Sequence, residues 1–242
     1  MRMPRFYEQQ PLTEGALIDL SDPVVQHVCK ALRMRTGDAL ILFNGDGHEY
    51  QARLETVEKR RARALIQQRH SPLTESSLDI RIGQSLSRGE RMDYAIQKAT
   101  EMGMQQMTPL FSARCEVRLS TERQDKRIRH WQQVALSACE QSGRCAVPEI
   151  QAPLPLKQWI EQEDAELKLV LHHHSAQPLG EFQKPASVAL LIGPEGGLSE
   201  EEVTLALDNG FKPVALGPRV MRTETAPVAT LALLQYLWGD WR

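Results

Sequence analysis

Short runs of alternating apolar and polar residues follow one another over the first 72 residues, a pattern typical of β-strands. Turn-forming residues separate the runs, and Asn44-Gly-Asp-Gly47 is a good hairpin signal between two of them. One stretch, 22–34, has helical spacing instead, with apolar side chains repeating on one face. The predicted strands are 16–20, 39–43, 49–57 and 63–67. Four or five short strands with a single helix predict a small β-barrel.

From Leu78 onward the period changes, and predicted strands alternate with predicted helices. The polar, turn-prone stretch 71–77 separates the two patterns, so we predict domains at residues 1–72 and 73–242. Apolar runs predict strands at 80–86, 107–111, 167–171, 188–192 and 213–216. Helical spacing and capping residues predict helices at 89–102, 121–141, 156–163, 199–210 and 227–238. Alternation of this kind is typical of an α/β domain with a parallel sheet covered by helices.

Three of the predicted loops follow strand ends and carry residues suited to binding a ligand. Ligands of open α/β sheets sit beyond the carboxyl ends of the strands. The loop after Ile192 is Gly193-Pro-Glu-Gly-Gly197, whose glycines would let the backbone approach a ligand closely. The loop after Leu216 is Gly217-Pro-Arg-Val-Met-Arg-Thr-Glu-Thr225, which places two arginines and a carboxylate before a helix start. We predict that these two turns form one pocket, with the loop after Leu171 beside them.

Each of these features also has a simpler structural interpretation. The glycine turn could be a tight strand-to-helix connection, and Arg219, Arg222 and Glu224 could form a surface ion-pair network. Three consecutive histidines at 172–174 cannot easily converge on one ion from a strand, so we predict no metal site. The chain contains neither GxGxxG nor GxxxxGK[ST], which argues against dinucleotide and P-loop sites and hence against a nucleotide-dependent oxidoreductase.

Charge and composition narrow the functional class only slightly. The formal net charge is −2, so the whole chain carries no nucleic-acid signature. The basic excess lies in the first two-thirds, with 11 Lys and Arg against 7 Asp and Glu over residues 80–147, and arginine suits phosphate contacts. There is no apolar signal region, no run long enough for a membrane span, and no CxxC pair among the four cysteines. These features predict a cytoplasmic protein with reduced thiols.

Two strings taken together make the chain resemble a known family. Ile192-Gly-Pro-Glu-Gly-Gly-Leu198 followed by Leu216-Gly-Pro-Arg-Val-Met-Arg-Thr-Glu-Thr-Ala226 is similar to the paired C-terminal motifs of the SPOUT methyltransferases, and most closely to the RsmE family of 16S rRNA uridine-N3 methyltransferases. Met221 stands where leucine is usual, and Met104 where valine is usual. The resemblance covers essentially the full chain, and the further matching strings are Met1-Arg-Met-Pro-Arg-Phe6, Gln84-Ser-Leu-Ser-Arg-Gly-Glu90, Lys98-Ala-Thr-Glu-Met-Gly103, Pro109-Leu-Phe-Ser-Ala-Arg-Cys115 and Cys139-Glu-Gln-Ser-Gly-Arg144.

The resemblance implies an architecture, a cofactor and partners. It implies a PUA-like β-barrel at the N-terminus and a SPOUT α/β domain with a C-terminal trefoil knot. It implies S-adenosylmethionine as cofactor and a homodimer as the working form. As substrate it implies a uridine of 16S rRNA (uridine 1498, near the decoding centre) within the small ribosomal subunit, with no membrane or metal partner. The cofactor-binding residues that it implies are Leu171, His172, Gly193, Pro194, Gly196, Gly197, Leu216, Gly217, Arg222 and Thr223.

Catalytic and RNA-contacting residues follow from the resemblance and from the chemistry of the reaction. Arg222 would stabilise negative charge on the uridine, and Glu224 would either accept the N3 proton or orient Arg222. The arginines expected to contact RNA are Arg5, Arg33, Arg35, Arg88, Arg114 and Arg219. Two alternatives stay open: a SPOUT methyltransferase for another RNA site, such as a ribose 2′-oxygen, and a non-catalytic RNA-binding or ribosome-assembly factor that kept the fold.

Overall fold

A computed structural model describes residues 3–117, 119–172 and 178–241. The chain divides into two compact units, one formed by Met1–Glu75 with Cys139–Val147, the other by Ser76–Ala138 with Pro148–Arg242. The sequence pattern gave no signal that the segment Cys139–Val147 returns to the first unit. The reason is a set of polar contacts: the Glu75 carboxylate accepts hydrogen bonds from the backbone N–H groups of Cys145 and Ala146 at 3.0 and 3.1 Å.

The first unit contains a five-stranded sheet and one short helix. The strands are β1 Arg5–Tyr7, β2 Leu17–Asp19, β3 Ala39–Phe43, β4 Glu49–Val57 and β5 Ala62–His70, in the order β1-β3-β4-β5-β2. Only β1 and β3 run parallel among these pairs; the others are antiparallel. Helix α1 Asp22–Gln26 continues as a π-helical turn, His27–Ala31, so the predicted helix 22–34 is shorter and irregular.

Alternating burial in these strands forms the core of the first unit. Leu40, Leu42, Leu54 and Ile66 are fully buried, and Val28 packs against them from the helical segment. The predicted strands 39–43 and 49–57 match β3 and β4 residue for residue. β1 was not predicted, because three residues are too short to show a period.

The second unit is built on a seven-stranded sheet in which every described pairing is parallel. Its order is β12-β10-β11-β6-β7-β8, and β9 also pairs with β7. The helices are α2 Arg91–Glu101, α3 Thr121–Ser142, α4 Leu156–Gln162, α5 Glu200–Asp208 and α6 Thr225–Leu237. The strands are β6 Asp79–Ser85, β7 Gln106–Phe111, β8 Glu149–Ile150, β9 Leu154–Pro155, β10 Leu167–Leu171, β11 Ser187–Ile192 and β12 Lys212–Val214.

Both faces of this sheet are buried, as expected for a parallel sheet. Along β11, Leu190 belongs to a cluster that includes side chains of α2, α3 and α6, whereas Leu191 belongs to a cluster that includes α4 and α5. Successive strand residues point to opposite faces, so helices cover the sheet on both sides. The α/β prediction is therefore confirmed, and the trefoil knot implied by the resemblance stays a prediction.

Candidate active site

Three strand ends of the second unit lie together at one edge of its sheet. β12, β10 and β11 are neighbours and parallel, so their carboxyl ends lie together. The chain leaving these strands encloses a cavity of about 620 Å³. Its walls come from Leu171 and His172, from the segment 192–198 and from the segment 214–224 with Ala226, and Arg91 and Arg114 complete the lining. The two turns predicted to form one pocket do so in the structure.

Glycines shape the cavity for two separate physical reasons. At Gly193 a Cβ would lie 3.0 Å from Cγ of Leu198 and 3.1 Å from its backbone nitrogen, so a side chain does not fit without moving the turn. Gly197 and Gly217 have φ of 70° and 78°, in the left-handed region that side chains disfavour. The turns therefore keep their close approach and their tight geometry only with glycine at these positions.

A buried hydroxyl ties the two turns to each other and to the neighbouring strand. Thr223 is 6% exposed, and its Oγ1 donates a hydrogen bond to the carbonyl of Gly193 at 3.0 Å. The same Oγ1 accepts a hydrogen bond at 2.8 Å from Nε2 of Gln84, the penultimate residue of β6. Oε1 of Gln84 is buried without a described partner. Thr223 thus fixes the charged turn against the glycine turn.

Glu224 follows directly and directs a carboxylate into the site. Its Oε2 is buried, and no described residue hydrogen-bonds to it. Nε of Arg91, the first residue of α2, lies 3.8 Å from that oxygen. The Arg91 guanidinium also makes a close ion pair with Glu195, which stands in the glycine turn. Arg91 therefore lies between two carboxylates, one from each turn.

Glu195 is held as a charged group by its surroundings. Burial raises its pKa, but hydrogen bonds from its own backbone N–H, from the N–H of Arg88 and from the Arg91 side chain outweigh that effect. The net result is a pKa of Glu195 below its usual value. An ionised Glu195 keeps Arg91 beside the cavity, which is why the pair is a structural feature of the site.

A second, wider cleft adjoins the cavity. It measures about 1240 Å³ and is lined by the α2 start and by the loop 113–116. It shares Arg91, Arg114, Glu195, Gly196 and Glu224 with the cavity. Glu224 therefore faces both spaces, an arrangement in which one ligand in the cavity and another in the cleft would meet at this carboxylate.

The ten residues predicted to bind cofactor all line the cavity. Arg222 lies in its wall with an exposed side chain, whereas Thr223 is buried. The histidines His173 and His174 lie outside the described residues. Gln84, Arg91 and Glu195 were not predicted as site residues, although Gln84 and Glu195 lie within the strings that carry the resemblance. A polar Gln84 inside an apolar strand was the available sequence signal.

The predicted RNA-contacting arginines occupy different environments. Arg88 and Arg114 line the cleft, and Arg219 lines the cavity with an exposed side chain. Arg33 and Arg35 are exposed in the first unit. The prediction for Arg5 needs correction, because Arg5 is only 8% exposed.

The Arg5 guanidinium is used inside the first unit. It makes a close ion pair with Glu49 and donates to the carbonyls of Gly143 and Arg144 at 3.1 and 3.2 Å. An RNA phosphate would have to displace these buried partners, so Arg5 stabilises the fold of this unit rather than offering a free cation.

The cavity fits an adenosyl cofactor such as S-adenosylmethionine. Its volume lies within the range of roughly 300–1,000 Å³ that small-molecule sites occupy. Leu171, Ile192, Leu216 and Met221 give apolar walls, and the Glu224 carboxylate, whose Oε2 has no described hydrogen-bond partner, gives a negative group. Over the described ranges 3–117, 119–172 and 178–241, no cluster of three or more His, Cys, Asp or Glu side chains is placed to hold a metal ion. No described helix is both long and apolar enough to cross a membrane.

Comparison with known proteins agrees with this geometry. Residues 74–235 match the family described as RNA methyltransferase domain, and residues 20–67 match the RNA methyltransferase PUA domain. The chain is 34% identical over 241 residues, 99% of its length and 98% of the relative's, to ribosomal RNA small subunit methyltransferase E of Buchnera aphidicola subsp. Schizaphis graminum. It is 29% identical to the protein of the same name from Bacillus subtilis, covering 94% of this chain and 93% of that one.

Solved structures extend the comparison to the site. A methyltransferase from Legionella pneumophila in complex with bound S-adenosylmethionine has a TM-score of 0.96 at 40% identity, covering 99% of this chain and all of that one. Ribosomal RNA small subunit methyltransferase E from Neisseria gonorrhoeae, bound to S-adenosylmethionine, has a TM-score of 0.95 at 40% identity, with both chains fully covered. With its domain match, its full-length relatives and its cavity between two glycine-containing turns, the chain belongs to the ribosomal RNA small subunit methyltransferase E family.

Proposed function

We propose that this protein is an S-adenosylmethionine-dependent methyltransferase that methylates N3 of a uridine in 16S rRNA. The observation that carries the proposal is the cavity between the glycine turn and the charged turn, with the Glu224 carboxylate at its junction with the cleft. Methyltransferase activity on ribosomal RNA and the use of this cofactor follow from family membership and from cofactor-bound relatives. The choice of uridine N3 is the finer part of the proposal.

The cofactor would be held at the three strand ends, by Leu171 and His172 and by the two turns that follow β11 and β12. Bound S-adenosylmethionine supplies an electrophilic methyl group on a positively charged sulfur. Gly193, Gly196 and Gly197 let backbone groups approach it, and Leu171 and Leu216 offer apolar surface on either side. Thr223 keeps the two turns at a fixed separation through its hydrogen bonds to Gly193 and Gln84. Preorganisation of this kind avoids reordering the turns during the reaction.

Glu224 is the group best placed to act on the substrate's proton. The N3–H of uridine is a weak acid, and removing its proton makes N3 a nucleophile. Oε2 of Glu224 is buried and free of described hydrogen-bond donors, so it has capacity to accept that proton. Nε of Arg91 lies 3.8 Å from the same oxygen and would hold the carboxylate in position beside the substrate.

Arg222 would act on the charge that this proton transfer creates. Deprotonated uridine carries negative charge shared between N3 and its two carbonyl oxygens. Arg222 lies in the cavity wall with an exposed side chain, and a guanidinium there can donate hydrogen bonds to such an oxygen. In this scheme Glu224 takes the proton and Arg222 stabilises the anion.

The partners follow from the same proposal. The cleft, at about 1240 Å³, is wide enough for a nucleotide turned out of its stack. The substrate is proposed to be 16S rRNA in the small ribosomal subunit, and the working form a cytoplasmic homodimer. Exposed apolar side chains, including Val220 at 78% and Leu233 at 41%, are available for contact between two copies. Sedimentation at micromolar concentration checks the dimer, which is absent if the protein sediments as a 27.4 kDa particle.

A methyl-transfer assay tests the reaction. Purified protein is incubated with small ribosomal subunits that lack the modification and with S-adenosylmethionine carrying an isotopically labelled methyl group. The rRNA is then digested to nucleosides and analysed by mass spectrometry. The expected product is labelled 3-methyluridine, at no more than one per subunit.

The two alternatives give different products in the same assay. Label in a ribose-methylated nucleoside would support a SPOUT methyltransferase of different site preference. Cofactor binding by calorimetry without any methyl transfer, or RNA binding without cofactor binding, would support a non-catalytic assembly factor.

A further inference from the structure

The first turns of α3 carry a group of basic side chains that the cavity and cleft do not use. Arg123, Lys126, Arg127 and Arg129 are all exposed, and they are called the α3 basic surface here. In the part of the chain that the structure describes, none of the four takes part in an ion pair or a side-chain hydrogen bond. They lie within about 9 Å along the helix axis, given a rise of about 1.5 Å per residue.

Other cations of the second unit behave differently. Arg81, Arg88, Arg91 and Lys98 each make an ion pair with a neighbouring carboxylate. On α3, Glu122 precedes Lys126 by four residues and Asp125 precedes Arg129 by four, which is suitable spacing for pairs. The described structure nevertheless holds no ion pair within 4.0 Å at either position. The cations therefore stand free although partners of the right spacing are present.

The arrangement also carries a local electrostatic cost. Arg123 precedes Lys126 by three residues and Arg127 by four, and Lys126 precedes Arg129 by three, so these side chains are neighbours on the helix surface. Like charges at such spacings destabilise a helix. Four cations against Glu122 and Asp125 give residues 121–130 a net charge of 4 − 2 = +2 with histidine neutral. A ligand of opposite charge would relieve this repulsion.

The C-terminal side of the basic segment is fixed to α2, the helix whose start lines the cleft. At its C-terminal side, Nε1 of Trp131 donates to Asp93 at 3.1 Å, and Nε2 of His130 lies 2.7 Å from the same carboxylate. Asp93 stands in the first turn of α2, two residues after Arg91. At its N-terminal side, α3 follows the loop whose residues 113–116 line the cleft. The α3 basic surface therefore lies close to the cleft.

We propose that the α3 basic surface binds the phosphates of the RNA strand that flanks the target nucleotide. The proposal rests on the proposed function, since it assigns the cleft to that nucleotide. Arginine suits phosphate because its planar guanidinium can donate two parallel hydrogen bonds. No aromatic side chain lies among the four cations, so the surface contacts the backbone rather than stacking on bases. Such contacts position the RNA without reading its sequence.

The test compares two triple variants that remove equal charge. The first is Arg123→Gln/Lys126→Gln/Arg127→Gln. The control is Lys157→Gln/Lys184→Gln/Lys212→Gln, which alters three exposed lysines elsewhere in the second unit. For each protein, methyl transfer is measured against the concentration of small ribosomal subunits at two salt concentrations. Filter binding to protein-free small-subunit rRNA is measured in parallel.

In the α3 variant, KM for subunits is expected to rise by roughly tenfold or more. The slope of log KM against log salt concentration should become shallower by about two to three units, because each lost phosphate contact removes close to one unit. Its kcat at saturating subunits and its affinity for S-adenosylmethionine stay at wild-type values. Its unfolding temperature does not fall, since repulsion on the helix is relieved. RNA binding in the filter assay weakens to match.

Three outcomes would overturn the proposal. If the α3 variant had the KM and the salt slope of the wild-type protein, the surface would not contact RNA. The same conclusion would follow if the lysine control changed KM and salt slope as much as the α3 variant did. A raised KM for subunits together with unchanged binding to protein-free rRNA would show that the surface contacts a ribosomal protein instead. If the wild-type protein transferred no methyl group, the proposed function would fail, while the filter assay would still decide whether the α3 basic surface binds RNA.

Discussion

Replacing Thr223 by valine tests whether a single hydroxyl holds the two turns together. Valine keeps the shape of threonine but removes the hydrogen bonds to Gly193 and from Gln84, at 3.0 and 2.8 Å. Two such bonds contribute about 1–3 kcal/mol net. The Gln84 amide is then left in a buried position with one long contact, Nε2 to the Ser85 carbonyl at 3.5 Å. Because this buried amide lacks a good hydrogen-bond partner, the expected decrease in the free energy of unfolding rises to about 2–4 kcal/mol.

The loss should appear in two measurements. For a chain of this length, about 2–4 kcal/mol lowers the unfolding temperature by roughly 5–15 °C. Calorimetry should also show cofactor binding at least about tenfold weaker. A tenfold change in affinity corresponds to about 1.4 kcal/mol, which is less than the expected loss of stability. Thr223→Ser is the matched control, because it keeps the hydroxyl and loses one methyl group worth about 0.8 kcal/mol. If the valine variant matched the serine variant in both measurements, the hydroxyl would not be what fixes the turns.

Glu224→Gln keeps the size of the side chain but removes its capacity to accept a proton. In methyl-transfer assays kcat should therefore fall at least about 100-fold, while calorimetry should show unchanged affinity for the cofactor. Near-normal turnover would exclude the general-base role. Gly83→Ala places a Cβ 2.7 Å from the Trp159 ring and should cost about 1–3 kcal/mol in denaturant unfolding, whereas Gly180→Ala, which meets no described heavy atom within 4 Å, should cost little. Burial raises the pKa of Cys139 to about 12, so the folded protein keeps a thiol proton that the unfolded chain loses above about pH 9. Stability should therefore decline as the pH rises from about 9 towards 12, and Cys139→Ala should make that decline shallower in thermal unfolding; an unchanged decline would contradict this cause.

The strands that position the site could be predicted because their signals are local. β10 matches its predicted range, and β11 is one residue longer than predicted. Their apolar runs need no distant partner to be recognised. β12 ends at Val214, two residues before its predicted end, since the chain leaves the sheet there to form the cavity wall.

Contacts between residues far apart in the chain were not predictable. Gln84 meets Thr223 across 139 positions, and a single sequence does not show that they pair. Arg5 looked like a free cation beside other arginines, but its partners are Glu49 and carbonyls at 143 and 144, more than 40 and more than 130 residues away. The motif strings located the cavity, whereas the polar contacts that support it required the folded structure.

Nucleoside analysis of a strain that lacks the gene tests the central claim most directly, because it reports which atom of the RNA this protein modifies. Small-subunit rRNA from the deletion strain, from its parent and from the strain carrying the restored gene is digested and compared by mass spectrometry. We predict that 3-methyluridine disappears on deletion and returns with the wild-type gene. Undiminished 3-methyluridine in the deletion strain, or loss of a ribose-methylated nucleoside in its place, would contradict the account.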